Sequence, residues 1–312
     1  MKNLTLILLI IGLVSFSGCN SGTGGTPKYN PYTGSKGITM SFAKNSPPQE
    51  IYEGQTFNVM VNAVNEGAES VKNGKMLLGY EEGIIEPEQP DQSFDLYGRA
   101  EARDKGEQKI INFRAKAKKL DPQVEVMETL MSVTTCYQYR TKFSGDVCVD
   151  TDPLKLRFAE KNCAAKDISS SGQGAPVRIS KVEVEMIPHQ DQGKIIPSFK
   201  ITIANGGDGI VYNKDKINQA CSAAEISKDD INTIYVKEAR LGQDYYLDCK
   251  PKREGYDIAY VKLKEDESVI RCSYEPGIDA NTAPFTAPLY LELEYGYSQT
   301  ITQTALVKKE VY

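Results

Sequence analysis

Hydrophobic and polar residues alternate over several short segments of the chain, and this pattern predicts β-strands. Alternation puts one set of side chains on a buried face and the next set on a solvent face, which is the period of an extended strand. The clearest segments are FNVMVNAVNEG at 57–67, KIINFRAKAKKL at 109–120, SKVEVEMI at 180–187, FKITIANGG at 199–207 and LYLELEYGY at 289–297. Gly, Asn and Pro separate these segments, so the sequence predicts an all-β fold of antiparallel sandwiches.

One segment has helical spacing instead. In NKDKINQACSAAEISKDDIN at 213–232, Ile217, Ala220, Cys221 and Ala224 recur at the period of a helix face. Ser227 is a residue type that caps helix N-termini. The sequence therefore predicts one or two short helices inserted between strands of the second half.

The strand pattern occurs twice along the chain. Segments 57–74 and 199–214 both begin with Phe and alternating aliphatic residues, and Asn65 and Asn205 then introduce a Gly-containing turn. A Tyr-x-Tyr motif closes each half, at 137–139 and at 295–297. This repeat predicts one duplicated sandwich domain, at 37–160 and 176–312, with a Ser- and Gly-rich linker at 161–175.

The first residues have the features of an export signal. A single Lys precedes the apolar run 4–16, which is shorter than the roughly 20 residues of a membrane-spanning helix. Ser17-Gly18-Cys19 resembles the lipobox of lipoprotein signal peptides, although Phe16 stands where that motif usually has Leu. The resemblance implies a signal peptide at 1–18 and lipid attachment at Cys19. The Gly-rich segment 19–36 is then a flexible tether, and we expect a protein exported to the cell surface or the periplasmic side of a membrane.

Composition excludes some classes of partner. The 312 residues are 40% hydrophobic and 25% charged, and the formal net charge is −5. A chain of this charge has no basic face for nucleic acid, so we expect no nucleic-acid partner.

The cysteine count predicts disulfides. Setting Cys19 aside leaves an even number of cysteines, which in an exported chain indicates disulfide pairs. The six are Cys136, Cys148, Cys163, Cys221, Cys249 and Cys272. We expect Cys136–Cys148 across one hairpin, Cys249–Cys272, and Cys163–Cys221. A zinc site is disfavoured because there is no CxxC motif and His189 is the one histidine, so no metal or other cofactor is expected.

The repeated segments resemble a known class of module. PPQEIYEGQTFNVMVNAVNEG at 47–67 and IPSFKITIANGGDG at 196–209 are similar to immunoglobulin-like modules of the cell-adhesion-related type in microbial surface lipoproteins. The resemblance implies two immunoglobulin-like β-sandwich domains in tandem, the second with the helical insertion. It implies architecture and a surface location, and no activity.

Candidates for catalysis are weak. His189 is not accompanied by a GxSxG motif, and the Asn205–Gly209 loop is explained by turn chemistry as well as by calcium binding. Acidic residues near turns are the candidates for a glycosidase site. They are Glu81, Glu82, Glu86, Glu88 and Asp91, and the run Glu265, Asp266 and Glu267.

Tyrosine is the one distinctive surface feature, with 18 Tyr and no Trp. Tyr245, Tyr246 and Tyr290 are candidates for a binding surface, because Tyr offers a large contact area at low entropic cost, although strands also favour Tyr for structural reasons. The sequence thus predicts a non-enzymatic, lipid-anchored surface protein that binds a protein or glycan in adhesion or envelope assembly. The alternatives are an accessory subunit that presents an enzyme or pilus, and a carbohydrate-active enzyme.

Overall fold

The computed structural model describes residues 29–157, 160–190, 193–222, 224–253 and 257–310. The predicted leader 1–18, Cys19 and the tether up to residue 28 lie outside the described residues. In chain order the strands are β1 (Ile38–Phe42), β2 (Glu50–Tyr52), β3 (Thr56–Asn65), β4 (Val71–Gly79), β5 (Ile85–Pro87), β6 (Asp91–Leu96), β7 (Gln108–Ala117), β8 (Val126–Val149), β9 (Ile168–Ser169), β10 (Val177–Pro188), β11 (Lys194–Asn205), β12 (Ile210–Tyr212), β13 (Thr233–Leu241), β14 (Tyr245–Tyr246), β15 (Asp248–Lys250), β16 (Tyr260–Lys262), β17 (Glu267–Ser273), β18 (Ile278–Asp279) and β19 (Phe285–Lys308). The all-β fold predicted from the sequence is confirmed.

These strands form three sheets. The first has the order β1-β3-β7-β5 and comes from the first half of the chain, while the second has the order β15-β17-β11-β10-β9, with β18 beside β11, and comes from the second half. The third sheet has the order β14-β13-β19-β8-β4-β6, with β12 and β2 beside β19 and β16 beside β13, and contains strands of both halves. We call it the shared sheet. Among the described residues, all strand pairs are antiparallel except β2 with β19.

Two long strands form the centre of the shared sheet. β8 and β19 have 24 residues each and pair in register from Val126 opposite Lys308 to Val149 opposite Phe285. At 3.3 Å per residue such a strand is roughly 75 Å long, so each strand extends through both halves of the molecule. The inward side chains of all three sheets pack into one continuous core, which includes Phe113 and Phe199.

The predicted inward faces are buried. Phe57, Val59 and Val61 of β3 are at most 4% exposed, and Leu289, Leu291, Leu293 and Tyr295 of β19 are at most 1% exposed. Burying an aliphatic side chain contributes about 1.5–3 kcal/mol, so this alternation determines which face of each strand turns inward.

The two halves make equivalent contacts at the predicted repeat. Each Asn accepts a hydrogen bond from the backbone N–H two residues later, Gly67 to Asn65 and Gly207 to Asn205.

Each Asn also accepts a hydrogen bond from the second Tyr of a Tyr-x-Tyr motif, from Tyr139 at 3.4 Å and from Tyr297 at 3.3 Å. The first Tyr of each motif accepts from the strand that begins its half, Tyr137 from the N–H of Ile38 and Tyr295 from that of Val177.

Gln138 and Gly296 lie opposite each other between these motifs. The contacts on either side of this pair repeat with the roles of the halves exchanged, which is the pattern of an approximate two-fold axis at that point.

The predicted insertion is present as short helical segments. The α-helix α1 spans Ile217–Ala220, and 3-10 turns lie at Lys214–Lys216 and Lys228–Asp230. The Ser227 hydroxyl accepts the N–H of Asp229, so the predicted cap is confirmed.

The insertion lies over the centre of the shared sheet. A Cβ at Gly296 would lie 2.7 Å from the Cβ of Ile217. The close approach of α1 to β19 therefore requires glycine at position 296. Gln138 donates to the carbonyl of Lys214 at 3.0 Å.

All six expected cysteines form disulfides, but two of the expected pairings are wrong. The observed pairs are Cys136–Cys221, Cys148–Cys163 and Cys249–Cys272, of which the last was expected. Cys136–Cys148 does not form because residues 144–146, SGD, do not make the expected hairpin turn. They continue β8 as an extended strand, so Cys136 and Cys148 lie roughly 40 Å apart. Cys163–Cys221 fails because Cys163 pairs at the end of β8, whereas Cys221 lies beside its middle.

Parts of the predicted tether and linker contact the folded core. Arg99 donates to the carbonyl of Thr33 and to the hydroxyl of Tyr29, and the N–H of Gly174 donates to the carbonyl of Gly34. These contacts fix residues 29–34 beside the turn that follows β3. In the linker, Cys163 is bridged to β8, and Ile168–Ser169 form β9.

Candidate binding surface

The candidate binding surface is the outer side of the shared sheet, built from β8, β19, β13 and β14. Strand register brings outward side chains into rows across the sheet. One row contains Tyr246, Arg240, Tyr290 and Ser144, which lie opposite one another on four neighbouring strands.

Two of the three predicted tyrosines belong to this row. Tyr246 is 67% exposed, whereas Tyr290 is partly buried, and the strand that carries Arg240 separates them. Tyr245 points to the other side of the sheet and packs against Tyr274, with ring centroids 5.0 Å apart. The structure thus brings Tyr246 and Tyr290 together on one face and does not bring Tyr245 to it.

Tyr290 is fixed by its neighbours. The Arg240 guanidinium lies over the Tyr290 ring, 4.7 Å from its centroid, and the Tyr290 hydroxyl donates to Glu292 at 3.0 Å. Burial, together with the hydrogen bond to Glu292, raises the pKa of Tyr290 to about 12. The hydroxyl therefore stays protonated and remains a hydrogen-bond donor throughout the physiological pH range.

A network of ion pairs lies beside this row. Glu292 accepts hydrogen bonds from Lys237 at 3.0 Å and from Arg140 at 3.3 Å, and Arg140 also pairs with Glu69 at 3.1 Å. Lys142 pairs with Glu69 at 2.7 Å. The network therefore joins residues of both halves across β8, β19 and β13.

Glu292 of this network and the neighbouring Glu294 are held in the charged form. Burial opposes ionisation of Glu292, but hydrogen bonds from Lys237 and Tyr290 outweigh it and keep the pKa of Glu292 below its usual value. Glu294 behaves in the same way: burial opposes its charge, and Lys214 and Lys237 keep its pKa low.

Two clefts flank the ion pair between Lys214 and Glu294, whose Nζ and Oε2 atoms are 2.6 Å apart. A cleft of about 520 Å³ lies towards the first half, and one of about 550 Å³ lies towards the second. The first is lined mainly by charged and polar side chains, including Glu69, Ser70, Lys72, Gln138 and Arg140. The second includes Tyr235, Lys237, Arg253, Asp257 and Ile258.

The other predicted candidates lie away from this surface. His189 lies in the turn between β10 and β11, and Glu265 and Asp266 form the turn before β17 with positive φ angles. In the Asn205–Gly209 loop, the Asn205 side chain donates to the carbonyl of Gly209 and closes the turn. The acidic residues Glu81, Glu82, Glu86, Glu88 and Asp91 are exposed on and around β5.

No group of three or more potential metal-ligating side chains occurs in the part of the chain that the structure describes. In the same ranges, no helix is both long enough and apolar enough to span a membrane.

Sequence reasoning missed the ion-pair network. Glu292 and Glu294 are recognisable as outward positions of LYLELEYGY, but their partners Arg140, Lys214 and Lys237 come from three distant segments. A local alternation pattern identifies the face of a strand and not the strand that lies beside it.

No protein-family model matches this chain, and no curated protein matches it either. The three disulfides indicate an oxidising environment, which is found outside the cytoplasm.

Proposed function

We propose that this chain is a non-enzymatic, lipid-anchored surface protein that binds a partner protein in adhesion or envelope assembly. Its contact region is the outer side of the shared sheet, centred on Tyr246, Arg240 and Tyr290. The row formed by these three residues is the observation that carries the proposal. Tyr and Arg dominate the binding energy of protein interfaces, and here they lie side by side on a rigid sheet.

The arrangement favours a protein over a glycan as the ligand. Sugars bind to the open faces of aromatic rings, but Arg240 already covers a face of the Tyr290 ring. The Tyr290 hydroxyl and the Arg240 side chain instead present a polar, well-ordered contact next to the exposed Tyr246. Such groups are pre-organised, so little side-chain entropy is lost when a partner protein binds.

Lipidation at Cys19 would hold this surface near a membrane. The segment 19–28 spans at most about 35 Å when fully extended, and residue 29 already contacts the folded core.

Two immunoglobulin-like sandwiches form the body of the proposed protein. Two observations support this. The Asn and Tyr contacts are equivalent in both halves, and each half contributes one sheet built only from its own strands, which packs against the shared sheet.

The test is site-specific photo-crosslinking on intact cells. A photoreactive amino acid replaces Tyr246 or Tyr290, and the control replaces Tyr52, which is also exposed and lies beside the far end of β19. We expect positions 246 and 290 to capture the same protein and position 52 to capture none of it. Arg240→Ala should reduce the capture about tenfold or more, because it removes a central Arg contact.

Equal capture from all three positions, or none from 246 and 290, would contradict the assignment of this surface. The captured protein also separates the alternatives: an enzyme or pilus subunit would identify the chain as an accessory subunit. Crosslinks to glycans alone would argue for an adhesin or a carbohydrate-active enzyme.

A further inference from the structure

A loop closed by a disulfide projects two leucines into solvent at the end of β8. Leu154 and Leu156 are 70% and 76% exposed, the highest exposures among the large hydrophobic side chains of the described residues. Lys155 lies between them with φ of 55°, and Arg157 follows, with both side chains exposed. The tip therefore alternates apolar and cationic residues in a Leu-Lys-Leu-Arg order.

The base of this loop is rigid. Cys148 is bridged to Cys163, and the Lys161 ammonium binds both carboxylate oxygens of Asp150, at 2.9 and 2.7 Å. The Asp152 carboxylate accepts the N–H groups of residues 156 and 157, each at 2.8 Å. These contacts hold residues 153–157 in a shape that keeps the two leucines out of the core.

The exposed charges of the described part of the loop are the cations Lys155 and Arg157 and one carboxylate, Glu160, so the net displayed charge is positive. The two aspartates at its base are buried and are occupied by Lys161 and by backbone N–H groups. Residues 153–157, which are all exposed, contain two cations and no acidic side chain. A positive tip on a chain of net charge −5 is complementary to an anionic surface.

We propose that this loop is a membrane contact that inserts Leu154 and Leu156 into the interface of an anionic bilayer. Lys155 and Arg157 bind lipid phosphates at the same depth, since long cationic side chains extend towards the headgroups. A protein partner fits less well, because Leu is under-represented among the residues that dominate protein interfaces. The proposal does not depend on lipidation of Cys19.

The position of the loop gives the contact a physical role. The Tyr139 hydroxyl donates to the carbonyl of Gly174, whose N–H donates to Gly34, five residues after the first described residue. The loop starts ten residues further along β8 than Tyr139. The two points are therefore roughly 30 Å apart. Attachment at two separated points, through the N-terminal tether and through this loop, would fix the orientation of the shared sheet relative to the bilayer. The tether alone cannot do this.

The absence of Trp from the chain allows a direct test. Leu156→Trp in the full chain places the single indole in the loop, and Ile110→Trp places it at a 61% exposed position on β7 as the matched control. The probes are vesicles of phosphatidylglycerol and vesicles of phosphatidylcholine. With phosphatidylglycerol we expect a blue shift and quenching by brominated acyl chains at position 156 and neither at position 110, whatever residues 1–28 contribute to binding.

Charge variants test the second part of the contact. Lys155→Gln and Arg157→Gln should each weaken the salt-sensitive response of the position-156 indole to phosphatidylglycerol vesicles about fivefold. Near-ultraviolet circular dichroism checks that each variant is folded. An indole at 156 that keeps its solvent-exposed emission with phosphatidylglycerol vesicles overturns the proposal. Equal responses of the indoles at 156 and 110 also overturn it. So does photo-crosslinking of a partner protein by a photoreactive amino acid at position 156, if the indole at 156 does not respond to vesicles.

Discussion

At the scale of single residues, two asparagines occupy equivalent turns but form different numbers of hydrogen bonds. Asn65 is fully buried and donates to the carbonyls of Glu69 and Leu96, whereas Asn205 is partly buried and donates to that of Gly209. A carbonyl that loses its donor inside the protein costs more than one that water can reach.

We therefore expect Asn65→Ala to reduce the free energy of unfolding by about 2–3 kcal/mol and Asn205→Ala by about 1 kcal/mol. Urea unfolding of the two variants, compared with the unmodified chain, measures the difference. Equal losses would mean that the additional hydrogen bond of Asn65 does not contribute to stability.

Glu292 and Glu294 predict that the stability of the protein is sensitive to acid. The pKa values of Glu292 and Glu294 are lowered in the folded protein, so their contribution to stability is present above the unfolded value of about 4.3. That contribution is lost as the pH falls from there through the folded pKa values. We expect Glu292→Gln to flatten the decline in unfolding free energy between pH 5 and pH 3, compared with the unmodified chain.

If Glu292→Gln followed the same pH profile as the unmodified chain, Glu292 would not be a source of that dependence.

At the scale of elements, the insertion depends on one glycine in the central strand. Gly296 lies opposite Gln138, and the Ile217 side chain of α1 packs directly on Gly296. This site is where the approximate two-fold relation between the halves is broken, because the first half has no insertion at the equivalent point between residues 71 and 75.

Gly296→Ala should reduce the free energy of unfolding by about 1–3 kcal/mol, since the new methyl group forces Ile217 away from the sheet. The matched control is Gly83→Ala, where nothing lies within 4 Å of the added Cβ. Denaturant unfolding of both variants gives the comparison, and a loss at position 83 as large as that at 296 would contradict the packing explanation.

At the scale of the whole molecule, the shared sheet couples the two halves. β8 and β19 pair over 24 residues, and Cys136 of β8 is bridged to Cys221 of the insertion. We expect one cooperative unfolding transition by calorimetry, with equal calorimetric and van't Hoff enthalpies. Two separate transitions would mean that the halves fold independently.

Removing the bridge with Cys136→Ala and Cys221→Ala should reduce stability by about 2–4 kcal/mol and still leave a single transition. Peptide mapping without reduction checks the pairing itself, because Arg140 and Lys142 allow trypsin to separate Cys136 from Cys148. A Cys136 peptide joined to any partner other than that of Cys221 would contradict this connectivity.

The sequence by itself determined the strands, their buried faces, the repeated Asn turns, the helical insertion and the participation of six cysteines in disulfides. These features follow from local rules, because periodicity and turn chemistry depend on residues a few positions apart. Only the tertiary structure decided that SGD at 144–146 continues a strand, that Cys136 pairs with Cys221, and that Tyr246 and Tyr290 share a face with a network of ion pairs. Each of these depends on what lies across the sheet, and strand pairing joins segments up to 256 positions apart, as between Glu50 and Leu306.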